Sequence, residues 1–413
     1  MNQVEKKIYD LVKKNPKFKN IIRDIYQRTL SFIPQKKKES KYKITEREGY
    51  FFGFHDKIPF SVDNKRLLAH KININNREVT KEDEVEIGYF YGDNYKKYKG
   101  LAKTESWNWQ QGSMLQWLGQ KNDIIFNYWD GKNNISRIID CEGKVIKDLP
   151  SAIGAVSPEG NYALSYSFER LNIGMYGYGY VNENDINKTK KSPFNSGLKI
   201  IDIAKGLENF IFSIQEIRNI KSEDSMKGAY HFFTHCLFNP AGDRFFFLHR
   251  WYKKGERLYS RLISSDIGGT NINIFPTKGM VSHMSWLGNE SIIAYCTTEK
   301  YGDAYHIFKD KSQMFQIIDK EQYKSDGHPQ YSLKTKLIVT DTYPNRFRIQ
   351  ELSLYNLMKR DKKTIAKLYS PIRFKGIMRC DLHPRWDRKG EYLCFDSAHT
   401  GKRSLCTINL KEC

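Results

Sequence analysis

Seven segments of the sequence share one pattern, and this internal repeat limits the folds that the chain can adopt. Each copy has an aromatic or apolar residue, a small or polar residue that starts a turn, further turn-forming residues and then a strand-like run. The turns of successive copies begin at positions 61 to 387, at an average interval of about 54 residues. Repeats of about 40 to 50 residues with four strands are typical of β-propeller blades, because each blade buries its faces only against its neighbours. The residues that start the seven turns are Ser61, Leu118, Ser157, Asn239, Leu287, Ser332 and Asp387.

The repeat predicts an all-β chain with one seven-bladed β-propeller over residues 43–413. The runs between the turns are rich in Tyr, Phe, Ile and Val and are interrupted by Gly, Asn, Asp and Pro, as short strands are. The longest interval, from Ser157 to Asn239, contains GMYGYGYVNENDINKTKKSPFNSG, which is too long for a turn within a blade. We expect this insertion to cover one face of the propeller.

Residues 1–42 have a different character and are predicted to form a separate basic, amphipathic helical segment with a linker. Their apolar residues recur at intervals close to three or four, with lysines and arginines between them. Two interpretations stay open: a helix on an anionic membrane surface, or a helix packed on the propeller. The sequence contains neither a recognisable signal peptide nor a transmembrane run, so we expect a cytoplasmic protein. Under the first interpretation it would be peripheral on the inner face of the membrane.

The composition favours an anionic partner. Lys and Arg total 68 against 47 Asp and Glu, which gives a formal net charge of +21. Such a charge attracts polyanions of any kind. The sequence contains no motif of a known nucleic-acid module, so we expect an acidic polysaccharide or oligosaccharide rather than nucleic acid. The seven cysteines are widely spaced and form no CxxC pair, which predicts reduced thiols.

Four histidines occupy the same position in four consecutive repeats, four residues before the turn begins. The innermost strands of all blades line one central channel, so these side chains can converge on the axis. Imidazole nitrogens in a ring bind transition metals, and Cys380 could add a thiolate, which favours zinc over manganese. Packing without a metal is the alternative, and His235 could be catalytic instead. The candidates for a divalent metal site are His283, His328, Cys380 and His383, with His235 beside them.

Two further groups of residues could bind or convert a sugar. Asn108, Gln110 and Gln111 lie among tryptophans in WNWQQGSMLQW, and amides beside aromatic rings suit a carbohydrate as well as they suit a buried hydrogen-bond network. At the insertion, an arginine could pair with a carboxylate and a tyrosine could exchange a proton. The residues concerned are Arg170, Tyr178 and Tyr180, with Arg250 as a further binding candidate.

Several stretches of the sequence resemble the seven-bladed propeller polysaccharide lyases, the group that contains ulvan lyases and, more distantly, oligogalacturonate lyase. The resemblance extends over about residues 45 to 410. It is carried by YFFGFHDKIPF, SWNWQQGSMLQWL, AVSPEGNYALSYSFERL with the later GYGY, THCLFNPAGDRFFFLHRW, SHMSW, DGHPQYS, TDTYPN and RCDLHPRWDRKGEYLCFDSAHTGKRS.

The resemblance implies β-elimination at a uronic acid, with a metal held by histidines of the late blades. Those histidines match His283, His328 and His383, with Cys380 nearby. Catalytic His, Tyr and Arg residues at the mouth of the channel match His235, Arg170 and Tyr178 or Tyr180.

Degradative lyases of this kind are normally exported. This sequence departs from that pattern, because it has no recognisable signal peptide and begins with a basic amphipathic segment. Two alternatives therefore stay open beside a lyase. One is a membrane-associated glycosyltransferase or modifying enzyme of capsule or O-antigen synthesis, and the other is a non-catalytic propeller that binds glycans.

Overall fold

Each of the seven repeats forms one antiparallel sheet in the computed structural model, which describes residues 34–323 and 325–412. Two strands, β1 (Lys38–Ser40) and β2 (Ile44–Glu48), precede the first repeat. Blades 1 to 3 contain β3 (Tyr50–Phe51), β4 (Arg66–Lys71), β5 (Val85–Tyr91) and β6 (Lys97–Thr104); β7 (Gln116–Trp117), β8 (Ile124–Trp129), β9 (Asn134–Ile139) and β10 (Val145–Leu149); and β11 (Ala155–Val156), β12 (Tyr162–Ser165), β13 (Gly197–Asp202) and β14 (Leu207–Ser213).

The remaining blades follow the same order of strands. Blades 4 and 5 contain β15 (Tyr230–Phe238), β16 (Arg244–Tyr252), β17 (Tyr259–Asp266) and β18 (Asn273–Ile274); and β19 (Val281–Trp286), β20 (Ser291–Thr298), β21 (Gly302–Lys309) and β22 (Phe315–Ile317). Blades 6 and 7 contain β23 (Gln330–Tyr331), β24 (Leu337–Asp341), β25 (Ile349–Asn356) and β26 (Asp361–Tyr369); and β27 (Arg385–Trp386), β28 (Tyr392–Ser397) and β29 (Ser404–Asn409). The predicted all-β, seven-bladed propeller is confirmed.

The turns that define the repeat join the first and second strands of every blade. In all seven, the backbone N–H of the residue that starts the turn donates to a carbonyl at the beginning of the second strand, at 2.8–3.0 Å. Ser61 N–H, for example, donates to the Arg66 carbonyl, and Asp387 N–H donates to the Tyr392 carbonyl. The shared sequence pattern therefore reflects one shared turn, which lies on the face opposite to the start of the inner strands.

The ring closes through a strand from the beginning of the chain. β2 pairs with β29 from Ile44 opposite Ile408 to Glu48 opposite Ser404, and it supplies the outer strand of blade 7. β1 pairs with β26 and adds a fifth strand to blade 6, although the sequence analysis places residues 38–40 in the linker. Residues 1–33, which carry the predicted amphipathic helix, lie outside the described residues.

Helices are short and lie between strands. Helix α1 (Phe168–Gly174) opens the insertion between β12 and β13, and α2 (Ile214–Asn219) follows β14. Single 3₁₀ turns occur at Asp93–Tyr95, Asp224–Met226 and Gly376–Met378. In the described part of the chain, no helix is long and apolar enough to span a bilayer.

Apolar side chains pack between neighbouring blades, whereas the axis carries mostly polar groups around the buried ring of Phe54. Phe126 of blade 2, for example, belongs to the same buried cluster as Leu67 of blade 1 and Leu405 of blade 7. The six described cysteines are all free. The core therefore packs the blades side by side around one axis, which the beginnings of the inner strands approach.

Candidate metal and catalytic site at the propeller axis

Imidazole rings from three consecutive blades meet at the axis. The ring centroids of His283 and His328 are 4.0 Å apart, and those of His328 and His383 are 4.3 Å apart. Each side chain is at most 4% exposed. The structure therefore brings together three of the four residues that the sequence analysis proposes for the metal.

Local backbone distortions aim these side chains at the axis. His235 and His383 have positive φ angles of 56° and 43°, a conformation that is uncommon for residues other than glycine. β15 also has an irregular register between Thr234 and Leu237, and β19 has one between Val281 and Met284. Such bulges turn a side chain out of the strand's alternation, and they are common beside functional sites.

A fourth imidazole, His55, comes from blade 1 and was not among the sequence candidates. Its ring centroid is 5.4 Å from that of His328 and 6.4 Å from that of His383. The string FHDKIPF contains this residue, but it lies six positions before Ser61 rather than four. The spacing that identified the other histidines therefore passes over it.

Two carboxylates orient the clustered histidines. Asp341 accepts from His328 Nδ1 at 2.8 Å, and it also accepts from the backbone N–H groups of His328 and His383 at 2.7 and 3.1 Å. Asp326 Oδ1 lies 3.0 Å from His283 Nδ1. Burial alone would lower the pKa of His328, but the Asp341 carboxylate raises it above the ordinary value. A carboxylate on Nδ1 fixes the ring and leaves Nε2 as the ligating atom.

Several buried polar atoms at the axis have no hydrogen-bond partner among the described residues. They include Nε2 of His328, Nε2 of His383, Oδ1 of Asp381 and both ring nitrogens of His55. Donor atoms of His328, Asp381 and His383 all lie within 4.8 Å of one another. Burial lowers the pKa of His383 well below its ordinary value, so this ring is the neutral form that binds metals. Two imidazoles and a carboxylate with unsatisfied atoms suit a divalent cation.

The Cys380 thiol does not belong to this group of donor atoms. Its side chain is buried and packs with Phe374 and Ala398. Burial raises the pKa of this thiol to about 12. Asp381, the next residue, provides the carboxylate instead, and it is a ligand candidate that the histidine spacing does not indicate.

His235, Tyr178 and Arg250 lie beside the imidazole cluster. The ring centroids of Tyr178 and His235 are 6.3 Å apart, and Arg379 Nη2 donates to Tyr178 Oη. Burial and then the charge of Arg250 lower the pKa of His235 well below its ordinary value, so the imidazole is neutral. Burial raises the pKa of Tyr178, so its phenol is protonated.

Arg250 is a cation with a free donor at the same place. Its Nη2 donates to the Val281 carbonyl at 3.3 Å and its Nη1 contacts Met175 Sδ at 3.1 Å, whereas Nε has no acceptor among the described residues. Burial lowers the pKa of Arg250 to about 10, which still leaves it charged at neutral pH. The arrangement combines a neutral base, a protonated phenol and a cation, as proton abstraction beside a carboxylate requires.

The structure places two other catalytic candidates away from the cluster. Arg170 donates to the backbone carbonyls of Asn187, Lys190 and Lys191 in the insertion and of His231 in β15, so its guanidinium is occupied there. The Tyr180 hydroxyl accepts from Asn127 Nδ2 at 2.8 Å, and its ring stacks on a neighbouring phenylalanine at 4.5 Å. Their catalytic roles stay predictions, and these contacts hold the insertion in place.

The three amide candidates contribute differently to the loop before β7. Asn108 Nδ2 donates to the Tyr178 carbonyl at 2.9 Å, and Gln110 Nε2 donates to the Ile377 carbonyl at 2.8 Å. Gln111 is buried, and neither polar atom of its side-chain amide has a partner among the described residues. The first two amides therefore position Tyr178 and the loop that carries Arg379, and Gln111 keeps free donors and acceptors.

The protein is a seven-bladed β-propeller with histidines clustered at its axis. Solved structures of other proteins have the same fold. A crystal structure of oligogalacturonate lyase from Vibrio parahaemolyticus has a TM-score of 0.60 at 12% identity, with 90% of this chain and 96% of that chain covered. A structure of an oligogalacturonate lyase in complex with manganese has a TM-score of 0.61 at 14% identity, with 90% of this chain and 94% of that chain covered.

The resemblance read from the sequence motifs is confirmed for the fold by these two structures. No protein-family model matches this chain, and no curated protein matches it.

Proposed function

We propose that this propeller cleaves a uronic-acid-containing oligosaccharide by β-elimination. Two solved structures of the same fold carry the name oligogalacturonate lyase, which supports this proposal. The observation that carries this proposal is one buried cluster that combines unsatisfied metal-ligand atoms with a neutral imidazole, a phenol and an arginine. The net charge of +21 supports an anionic substrate.

In the proposed reaction, His235 accepts the proton from the carbon next to the uronate carboxylate. The electron pair of that C–H bond forms a C=C double bond, and the glycosidic C–O bond at the β position breaks. Its electron pair stays on the leaving oxygen, which takes the proton of Tyr178. Arg250 pairs with the carboxylate through its free Nε–H, and this charge favours removal of the neighbouring proton.

His328, His383 and Asp381 would hold a divalent cation, and His283 and His55 stand beside them. When bound, such a cation stabilises negative charge that develops on the substrate carboxylate. The donor set of two imidazoles and a carboxylate suits manganese as well as zinc, and a preference for zinc would require the Cys380 thiolate. Asp341 fixes the His328 ring through Nδ1 and so holds its Nε2 at the cation position.

The reaction is tested with purified protein and a panel of uronic-acid oligosaccharides. A lyase gives two products whose masses sum to that of the substrate with no water added, and one of them absorbs in the ultraviolet through its new double bond. His235→Ala is expected to lower the rate by about 100-fold or more, because it removes the base. His306→Gln in blade 5, a histidine outside the cluster, is the matched control and should keep full activity.

Other outcomes would exclude the lyase. Products that gain one water indicate hydrolysis, and consumption of a sugar nucleotide with growth of an acceptor indicates a transferase. Binding without any product would leave a glycan-binding propeller.

Metal binding is tested separately from activity. The double variant His328→Ala/His383→Ala should lose the stoichiometric metal of the purified protein, and Cys380→Ala should retain it. Titration of metal-free protein with zinc and with manganese then measures the preference. Equal metal content in the double variant and the wild type would refute the site.

A further inference from the structure

A second cavity, here called the rim cavity, opens between blades 1 and 7 on the face that carries the axial site. Its volume is about 490 Å³. We propose that the rim cavity binds a second carboxylate-bearing sugar of the same oligosaccharide, an inference that rests on the function proposed for the axis. The residues used below are Asn76, Trp109, Arg373, Phe374, Lys402 and Arg403.

The lining of the rim cavity carries only positive charge. Arg373, Lys402 and Arg403 contribute three cations, and no Asp or Glu lies among its lining residues in the described chain. Glu48 pairs with Lys402 at 3.2 Å from outside the lining. Arg373 and Lys402 are exposed, and Arg373 Nη2 donates to the Gly401 carbonyl. An excess of cations in a concave surface favours an anionic ligand.

Arg403 is the fixed cation of the rim cavity. It is 5% exposed, and its Nη atoms donate to the backbone carbonyls of Trp109, Met378 and Arg379. Its guanidinium lies 4.7 Å from the centre of the Trp109 ring. The Nε–H has no acceptor among the described residues. A buried arginine with an unsatisfied donor at a cavity wall fits an oxyanion better than it fits a neutral group.

The remaining lining suits a sugar ring. Trp109 and Phe374 supply apolar surface, and Asn76 supplies an amide. Asn76 Nδ2 donates to the Arg373 carbonyl at 3.1 Å, and its Oδ1 has no partner among the described residues. Apolar faces beside amides match the apolar faces and hydroxyl edges of a carbohydrate.

One short loop separates the rim cavity from the axis. Arg403 binds the carbonyl of Arg379, and the Arg379 side chain donates to Tyr178 and Asp381 in the axial cluster. A linear oligosaccharide with one residue at the axis can therefore cross this loop and place a further residue in the rim cavity. The rim cavity would then set a preference for chain length.

A second opening on the same face has the opposite charge. The cavity between blades 2 and 3 has a volume of about 380 Å³, and Glu169, Asp185 and Glu208 line it with a single lysine. Carboxylates disfavour an anionic chain. The charges therefore direct a uronate chain from the axis towards blades 1 and 7.

The test measures binding rather than turnover, so that it is independent of the reaction. Galacturonate and glucuronate oligosaccharides of two and of four residues are titrated calorimetrically into His235→Ala protein, with and without Arg373→Gln/Lys402→Gln. We expect the rim variant to weaken binding of the tetrasaccharide about tenfold and that of the disaccharide much less. Lys65→Gln/Lys389→Gln, which removes two exposed lysines on the opposite face, is the matched control and should change neither.

The outcomes separate this inference from the lyase proposal. Equal losses for both chain lengths, or an equal loss in the control, would overturn the rim cavity and indicate a general effect of charge. Length-dependent binding without elimination would overturn only the lyase. Elimination without length-dependent loss would overturn only the rim cavity, and failure of every oligosaccharide to bind would overturn both.

Discussion

Replacing Asp396 by Asn should destabilise the propeller strongly, because it removes one half of a fully buried ion pair. Arg385 Nη2 donates to Asp396 at 2.7 Å, and the two side chains are 0% and 1% exposed. Arg385 Nε also donates to the Phe54 carbonyl at 3.1 Å. Asp396 in turn accepts from the backbone N–H groups of Phe52 and Gly53, each at 3.0 Å. This network holds the segment that places His55 at the axis.

The expected loss follows from burial. With Asn at position 396, the Arg385 charge stays in the interior without a counterion, and one of the two backbone N–H groups loses its acceptor. Breaking a buried pair by removing one partner costs about 3–5 kcal/mol. A domain has about 5–15 kcal/mol of unfolding free energy, so this loss is a large part of the total.

Urea unfolding, followed by tryptophan fluorescence, measures this loss as a shift of the midpoint. Glu391→Gln is the control, because it removes an equivalent charge from an exposed ion pair. In that pair, the Lys411 side chain is 66% exposed and the Glu391 side chain is 32% exposed. Exposed pairs contribute at most about 1 kcal/mol. If Asp396→Asn shifts the midpoint no more than Glu391→Gln does, the buried pair is not what holds this segment.

Three further substitutions test other parts of the structure by the same unfolding assay. Gly53→Ala should destabilise by about 1–3 kcal/mol, because φ is +118° and a Cβ would lie 2.8 Å from the Gln111 backbone; no measurable loss would show that the segment relaxes. Ser213→Ala should cost about 1 kcal/mol, because its hydroxyl caps α2, and Ser213→Thr should restore most of that loss. The Arg77 guanidinium lowers the pKa of Asp83 from 3.8 to about 2. The stability that the Asp83 charge contributes is therefore present above about pH 4 and is lost as the pH falls towards 2. Asp83→Asn should cost less unfolding free energy at pH 3 than at pH 7.

The fold could be read from the sequence because its repeat is local. A turn after an aromatic residue leaves a mark within a few positions, and seven such marks at similar spacing fix the number of blades. The pairing of β1 with β26 left no such mark, because Lys38–Ser40 is a short polar run whose partner lies at the far end of the chain. Propensity carries no information on contacts of that kind.

The candidate site could be read only where residues share a register. His283, His328 and His383 stand at the same position of the repeat, and the structure brings their rings together. Asp341 and Asp381 do not follow that register, because Asp341 ends the second strand of blade 6 and Asp381 lies six positions before Asp387 rather than four. The direction of Arg170 depends on α1, a single short helix that turns the guanidinium towards backbone carbonyls of the insertion and of β15.

The pairing of β2 with β29 sets the order of events during synthesis on the ribosome. Ile44 is made early, but its partner Ile408 emerges only after all the other blades, so blade 7 stays incomplete until then. Until that moment β2 is a strand without its partner, and the blades at the two ends of the open arc expose an apolar face. Unpaired strands and exposed apolar faces associate readily with other chains. A ribosome that stalls within blade 7 would therefore release a chain with six complete sheets and a strong tendency to associate with its own copies.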